Sequence, residues 1–424
     1  MTKIKPFRAL RYADFNLTDL LCPPYDIINL EMQEELYNRD ECNIIRLEWG
    51  KTSDEDNETD NRYTRAKETL SQWLADGTLI IDEKSAFYPH RQKFNWEGKE
   101  YIREGFFAAI ELTPFDKGQV LPHEWTLKGP KADRLKLMQT SECSFSPVFG
   151  LYDGSSEIGT IIKEALKTSP IATAEGNGFS ETLWKIDSKE KTELLEKSFE
   201  SLEILIADGH HRYETTLTLR DYMRNLCHRN DDSCGYNYVF MLLIDINDTG
   251  LLVLPTHRCL VINDNLKGIF LDVAAKIFEI EEVIPASDKE IEEILSKHVN
   301  EHSFVVYLDN KYYLLTSPAT KTDEGLPIID VVALQKYINE PLFSLEPGTG
   351  VEGNITYTIS INEAIKRVNE GDAAIAVFLN TTPLHDVLEN AKAGVRMPQK
   401  STYFYPKVPT GLVMNKVRVD LNKS

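Results

Sequence analysis

Tyr63, Ala66, Leu70 and Trp73 recur at intervals of three and four residues, which predicts an amphipathic helix over Asn61–Ala75. Other apolar runs predict strands. Phe87–Phe94 and Tyr101–Leu112 read as a hairpin turning at Glu97-Gly98, and Phe304–Leu308 with Tyr312–Leu315 as a second, turning at Asp309-Asn310. In Asn43–Glu48, Arg46 and Glu48 fall on the face opposite Ile45 and Leu47, the pattern of another strand. Ser287 with Glu290 and Ser360 with Glu363 match the capping-box spacing, and Thr382-Pro383 offers a cap followed by proline in the first turn. The acidic run Lys51–Asn61 predicts a solvated loop; it lacks the glycine and closing glutamate of a calcium loop. Leu345–Asn354, rich in Pro and Gly, predicts a crossing between elements. Helices and strands alternate throughout, so the predicted class is α+β (mixed α/β) rather than a bundle or sandwich.

A chain of 424 residues, 42% hydrophobic, has ample core for two or three domains or one core with large insertions. The expected division is 1–265, carrying most of the chemistry-bearing motifs, and 266–424, an α/β region that returns Met397–Lys407 to the site. With 67 acidic against 47 basic residues the net charge is −20, which excludes a broad polyanion-binding surface, so no nucleic-acid partner is expected. Cys22, Cys42, Cys143, Cys227, Cys234 and Cys259 are scattered without CxxC spacing, against a disulfide scaffold or a zinc ribbon. Met1–Leu10 has no apolar run, and Tyr238–Ile244 is far shorter than the roughly 20 residues of a membrane span, so the expected protein is cytoplasmic with no membrane partner. Nothing in the pattern indicates an oligomeric state.

The most informative passage is Leu202–Leu219, LEILIADGHHRYETTLTL. Leu202–Ala207 has buried-strand character, Asp208-Gly209 breaks it, and Tyr213, Leu217, Tyr222 and Leu226 then follow a helical period. A strand, a tight turn and a helix start carrying His210, His211 and Arg212 make an anion site. First-turn N–H groups and the helix dipole face the ligand, Gly209 admits it close to the backbone, and Arg212 offers two donors. Simple capping is the plainer alternative, but Asp208 alone suffices for that.

Three further clusters carry candidate chemistry. Leu121-Pro122-His123-Glu124 leads into Lys128, Lys131, Asp133 and Arg134, a segment of little apolar content that reads equally as surface loop; His123 with Glu124 can supply a general base. Pro255-Thr256-His257-Arg258 follows a strand over Leu251–Leu254, which would set His257 and Arg258 at a strand end facing a cleft. Met397–Lys407, MPQKSTYFYPK, joins Lys400, Ser401, Thr402 and Lys407 to aromatics of core or edge-strand character, with Lys400 and Ser401 as anion ligands. Near the start, Cys22-Pro23-Pro24-Tyr25-Asp26 is a rigid turn presenting Asp26. A metal held by His123, His210, His211 and His257 is disfavoured, because adjacent side chains rarely reach one ion and HExxH is absent.

At ADGHHRYET (Ala207–Thr215) the chain resembles the domain of unknown function 1015 family. The resemblance extends through PPYD (Pro23–Asp26), NxxRLE from Asn43, LPHE (Leu121–Glu124), DRL (Asp133–Leu135), LPTHR (Leu254–Arg258) and MPQKSTYFYPK with Gly411-Leu412; Cys42 departs from it, where a histidine is expected. GHHR in turn resembles the glycine–x–x–arginine box of the ParB and sulfiredoxin superfamily, which includes nucleotide-dependent free-serine kinases. This resemblance implies a ParB/sulfiredoxin-like nucleotide-binding core with large insertions, ATP or ADP as cofactor, and phosphates held by Gly209, His210, His211 and Arg212. Asp208 would help hold them indirectly or through Mg²⁺, and Arg134, His257, Arg258, Lys400 and Ser401 would complete the nucleotide site. It further implies a carboxylate that takes a proton from a substrate hydroxyl. Asp26 and Glu124 are the candidates, unranked by the sequence, and His123 and His210 join them as catalytic candidates. The implied activity is a kinase-like phosphotransferase on a small hydroxylated metabolite such as free serine. The alternatives are a small-molecule phosphatase, for example on phosphoserine, and a non-catalytic ParB-like nucleotide-binding regulator.

Overall fold

Phe106, Ala108 and Ile110 alternate with Phe107 and Ala109 along the strand Lys99–Glu111, and all five are buried, so both faces of this strand are covered. The computed structural model describes residues 1–126, 128–176, 178–228, 231–322, 325–345 and 353–417. They form two compact units. The first comprises Met1–Pro122, Thr126–Leu252 and the chain from Pro406; the second comprises His123–Trp125 and Val253–Tyr405.

The first unit is built on a nine-stranded mixed sheet. Its order runs Val120–Leu121, Ile204–Asp208, Val148–Tyr152, Tyr238–Asp245, Lys99–Glu111, Tyr88–Trp96, Phe179–Leu183, Ala172–Gly176, with Ile4–Lys5 also paired to Lys99–Glu111. Ile158, Ile161 and Ile162 of helix Ser156–Ala165, with Leu195 and Phe199 of helix Lys189–Phe199, pack on Phe106, Ala108, Ile110, Met241 and Leu243 to form the main core. Burying such side chains supplies roughly 1.5–3 kcal/mol each. Gly105 lets the two central strands close: a Cβ there would lie 2.3 Å from Leu243 O. Helix Lys128–Ser141 packs on helix His210–Cys227 through Met138, Leu219 and Met223.

The second unit carries a six-stranded sheet ordered Glu279–Val283, Lys311–Pro318, Glu301–Leu308, Ile375–Leu379, His257–Leu260, Ile355–Thr358, antiparallel throughout. Ile291 and Leu295 of one helix, Ile361 and Ala364 of another, and Val305, Ala376 and Phe378 of the sheet make its core.

The class is mixed α/β, and several local expectations hold. Helix Arg62–Ala75 starts at Asn61, whose side chain forms a reciprocal box with Thr64. Both hairpins turn where predicted, with Glu97 and Gly98 at φ 50° and 76° and Asp309 and Asn310 at 50° and 60°, the positive angles that suit right-twisted strand pairs. Ser287 and Ser360 cap their helices, though Glu290 turns its carboxylate to the Ala286 N–H instead of the cap. The loop before Asn61 sets Asp56 and Asp60 on Arg65. All six cysteines are free thiols, and among the described residues no helix is long and apolar enough to cross a membrane.

Other expectations are corrected. Asn43–Glu48 is no strand: Ile45–Glu48 is a helical turn. Asn43 Oδ1 takes the Ile45 N–H at 3.0 Å, and Arg46 reaches back to the carbonyls of Tyr37 and Asp40, so side chains satisfy the short turn. Thr382 does not cap: Pro383 holds that position before Leu384–Lys392, and the Thr382 hydroxyl donates to Ser401 O. Lys131, Asp133 and Arg134 lie on a helix, where Leu137 and Met138 supply the buried positions, and not in a surface loop. The crossing expected over 345–354 lies, for 346–352, outside the described residues.

Candidate functional site

Strand Ile204–Asp208 shifts register between Ile206 and Asp208 and leads directly into Gly209, at φ 92° and ψ 29°. That left-handed conformation suits glycine. The next residue opens the 18-residue helix His210–Cys227, whose first internal bond is Tyr213 N–H to Gly209 O at 3.0 Å; the amides of residues 210–212 therefore point out of its N-terminal end. The turn closes on itself through charge. Arg212, 9% exposed, donates to Pro147 O and, at 2.5 Å, to Asp208 Oδ2. The other aspartate oxygen receives the ammonium of Lys407, whose side chain is 8% exposed. One carboxylate thus bridges two buried cations. His210 is buried and His211 half-buried beside it.

Three more motifs gather in the same unit. Pro24 starts a single turn, Tyr25–Ile27, that leaves Asp26 exposed and stacks the Tyr25 ring on Trp49 at 5.8 Å. The Arg134 guanidinium lies 4.2 Å from the Tyr25 ring centre, pairs with Glu48 at 3.3 Å and with Asp133 at 2.6 Å. Glu48 accepts from Ser146 Oγ at 2.9 Å, and Asp133 also holds Arg62 and the Tyr63 hydroxyl. Burial raises the Tyr25 phenol to about 12 against the opposing pull of Arg212 and Arg134, so it remains a neutral hydroxyl at physiological pH. Burial alone would raise Asp133, but Arg134, Tyr63 and Arg62 hold it below the ordinary carboxylate range.

The remaining candidates form a separate cluster in the second unit. His123 is fully buried, with Nε2 3.0 Å from Thr402 Oγ1 and 3.5 Å from Glu124 Oε1. The same Glu124 oxygen accepts the N–H groups of Ser401 at 2.9 Å and Thr402 at 3.3 Å, presented by a bend in which Lys400 takes φ 55°. Arg258 donates to Lys400 O at 3.0 Å and to Thr256 O; burial lowers it to about 10. His257 Nδ1 accepts the Leu379 N–H, and burial, then the Arg258 charge, depress it to about 3, which fixes a neutral imidazole. His257 and Arg258 are not at an open strand end as the sequence suggested. They begin a buried strand paired on both sides, because the apolar run continues through Cys259 and Leu260. Tyr403–Tyr405 pairs with Leu252–Leu254 as a short two-stranded ribbon.

The candidates thus divide. Asp26, Arg134, Asp208, Gly209, His210, His211 and Arg212 lie in the first unit; His123, Glu124, His257, Arg258, Lys400 and Ser401 lie in the second. Sequence reading did not assign Tyr25, Glu48 or Lys407 to the site. Each lies within a recognised motif, but the partner of Lys407 is 199 residues away.

The family model described as "Protein of unknown function (DUF1015)" matches residues 4–335, which include every motif above except Met397–Lys407. The chain belongs to this family. Solved structures similar to this DUF1015 chain include a conserved hypothetical protein from Pyrococcus furiosus, at 16% identity and TM-score 0.38 over 74% of this chain and 94% of that one. A free serine kinase in complex with AMP follows at 15% identity and TM-score 0.39, covering 75% and 92%. SbnI from Staphylococcus aureus shows 10% identity and TM-score 0.35, covering 74% and 87%. Likenesses at this level carry no argument about shared fold or activity. No curated protein matches the chain.

Proposed function

We propose that this DUF1015 chain is a nucleotide-dependent phosphotransferase whose polyphosphate seat is the Asp208–Arg212 turn. The observation that carries the reading is the meeting of Arg212 and Lys407 on Asp208 at the N-terminus of an 18-residue helix, opened by a left-handed glycine. Phosphate oxygens offer these cations the same bidentate and point-charge partners that the carboxylate offers now, and the helix amides add neutral donors. In the reaction, a substrate hydroxyl oxygen bonds to the terminal phosphorus, the bridging P–O bond breaks, and the nucleotide leaves one phosphate shorter. Arg212 and Lys407 offset the charge on the transferring group. Asp26 is the preferred acceptor of the hydroxyl proton, because it is exposed and follows Tyr25, a residue within the field of both Arg212 and Arg134.

Mg²⁺ does not fit Asp208 as a direct ligand, since both carboxylate oxygens already meet cations. Among the described residues the group of three metal-type ligands is His385, Asp386 and Glu389, in the second unit. No step is therefore assigned to a protein-held metal. A small hydroxylated metabolite such as free serine, and a ParB/sulfiredoxin-like core, follow from the motif resemblance alone.

The test is calorimetric titration of ADP and ATP into the full chain, then incubation with either nucleotide and a panel of hydroxylated metabolites, read by mass spectrometry. Arg212→Ala is expected to abolish nucleotide binding; unchanged affinity would refute the assignment. One observation favours the non-catalytic alternative: the Arg212 donors already meet internal acceptors, which also describes a ligand-sensing latch. Nucleotide binding without any phosphorylated or dephosphorylated product would select it.

A further inference from the structure

On the sheet of the first unit, three neighbouring strands place Glu181 opposite Gln92 and Gln92 opposite Arg103. Residues directly opposite in antiparallel strands share a face, so the three side chains form one row, and His90 joins it two residues along from Gln92. All four are buried, Arg103 and His90 completely. An apolar row would be cheaper here, because burying a guanidinium carries a heavy desolvation cost.

The bonds within the row leave little freedom. His90 Nε2 lies 2.6 Å from Glu181 Oε2, and Gln92 Nε2 donates to Glu181 Oε1 at 2.6 Å. That orientation turns the Gln92 oxygen to Arg103, which donates to it; the reverse would set an oxygen against the carboxylate. The Arg103 guanidinium is further held over the Phe149 ring at 5.1 Å. The guanidinium also bonds outside the row: NH2 donates to Pro406 O at 2.8 Å. Pro406 is the residue before Lys407, the lysine that pairs with Asp208.

We propose that Arg103, oriented by Gln92, Glu181 and His90, is a positioning residue that fixes the Pro406-Lys407 backbone so that the Lys407 ammonium stands at Asp208. The significance for phosphoryl transfer rests on the functional reading above, whereas the positioning itself does not. A proline keeps the segment's φ narrow, and a charged donor on its carbonyl removes the remaining freedom at the peptide link into Lys407. The lysine stem then reaches the carboxylate from a fixed root.

Acylation of the full-length chain with an amine-reactive ester, read peptide by peptide by mass spectrometry, tests the positioning. Lys407 in the unaltered protein is expected to react at least about tenfold more slowly than the exposed Lys189, because its ammonium is paired and buried. Arg103→Met should raise the Lys407 rate about tenfold with the other lysines unchanged, and Arg103→Lys, which keeps a charged donor, should restore protection. An unchanged Lys407 rate in a folded Arg103→Met protein overturns the proposal. If that variant does not fold, Gln92→Leu removes the tether on Arg103, and an unchanged Lys407 rate there overturns it equally. ADP titration supplies the second arm: Arg103→Met and Lys407→Ala should each weaken binding, and the double variant should be no weaker than Lys407→Ala. Additive losses would make Arg103 merely structural and reject the proposal. Absence of ADP binding by the unaltered chain would reject the functional reading instead, with the acylation result still deciding the positioning.

Discussion

Gly209→Ala tests the turn at its tightest point. An alanine at φ 92° costs roughly 1–2 kcal/mol, the penalty of a left-handed L-residue. Its Cβ would also stand 2.9, 3.0 and 3.1 Å from the Nε, NH2 and Cζ atoms of Arg212, so the guanidinium must move. Moving it weakens the bonds to Asp208 and Pro147, and hydrogen bonds to charged groups contribute about 1.5–3 kcal/mol each. Losing one of them brings the total to roughly 2.5–5 kcal/mol of local stability. A two-unit chain has no single unfolding free energy, so the suitable assay is hydrogen exchange across 204–216, where 3 kcal/mol appears as a protection loss of roughly 100-fold. The Arg212→Ala background separates the two causes: with the guanidinium gone, Gly209→Ala should cost only its backbone penalty, roughly tenfold in protection. Equal costs in both backgrounds would refute the steric argument, and no cost in either would show that the turn does not hold the left-handed conformation.

Three further outcomes are expected. His257 is depressed to about 3 in the folded chain against 6.5 unfolded, so the unfolded state binds more protons between those values; stability of the His257–Leu260 strand should fall by about 1.4 kcal/mol per pH unit as pH drops through that window, and His257→Gln should flatten the slope in exchange measurements. Removing the cation of the buried Arg134–Glu48 pair, by Arg134→Met, leaves the Glu48 carboxylate buried without that charge and should destabilise the first unit by about 3–5 kcal/mol, with Arg134→Met/Glu48→Leu recovering much of the loss in denaturant titrations. Under native conditions a thiol reagent should modify Cys42 and Cys227 while sparing Cys22 and Cys143, whose thiols burial pushes up; rapid reaction of Cys143 would contradict its place in the core.

Features decided within a few residues were readable from the chain. Glu97-Gly98 and Asp309-Asn310 tolerate positive φ, so the hairpins were visible without knowledge of their sheets. Asn61 and Ser287 carry their own capping oxygens. Asp208-Gly209 interrupts an apolar run immediately before a helical period, so the order strand–turn–helix is readable there, although the strand runs Ile204–Asp208 and not Leu202–Ala207. Asn43–Glu48 was misread because six residues of mixed polarity fit both periods, and only the side-chain bonds of Asn43 and Arg46 select the helical turn. Lys128, Lys131, Asp133 and Arg134 read equally as surface loop and as functional cluster, because a buried arginine on a helix leaves no apolar periodicity at its own position.

Composition and local order determined that this chain mixes helices with strands and carries a glycine-opened helix start with two histidines and an arginine. Tertiary structure alone decided which charges meet: Arg212 with Pro147 and Asp208, Lys407 with Asp208, Arg134 with Glu48, and Arg103 with the carbonyl before Lys407. It also decided that the chain from Pro406 returns to the first unit while residues 123–125 join the second. The reason is the range of the forces. Backbone sterics and capping act between near neighbours and leave a local signature. Ion pairing and desolvation depend on distance through a low-dielectric interior, which separation along the chain does not record.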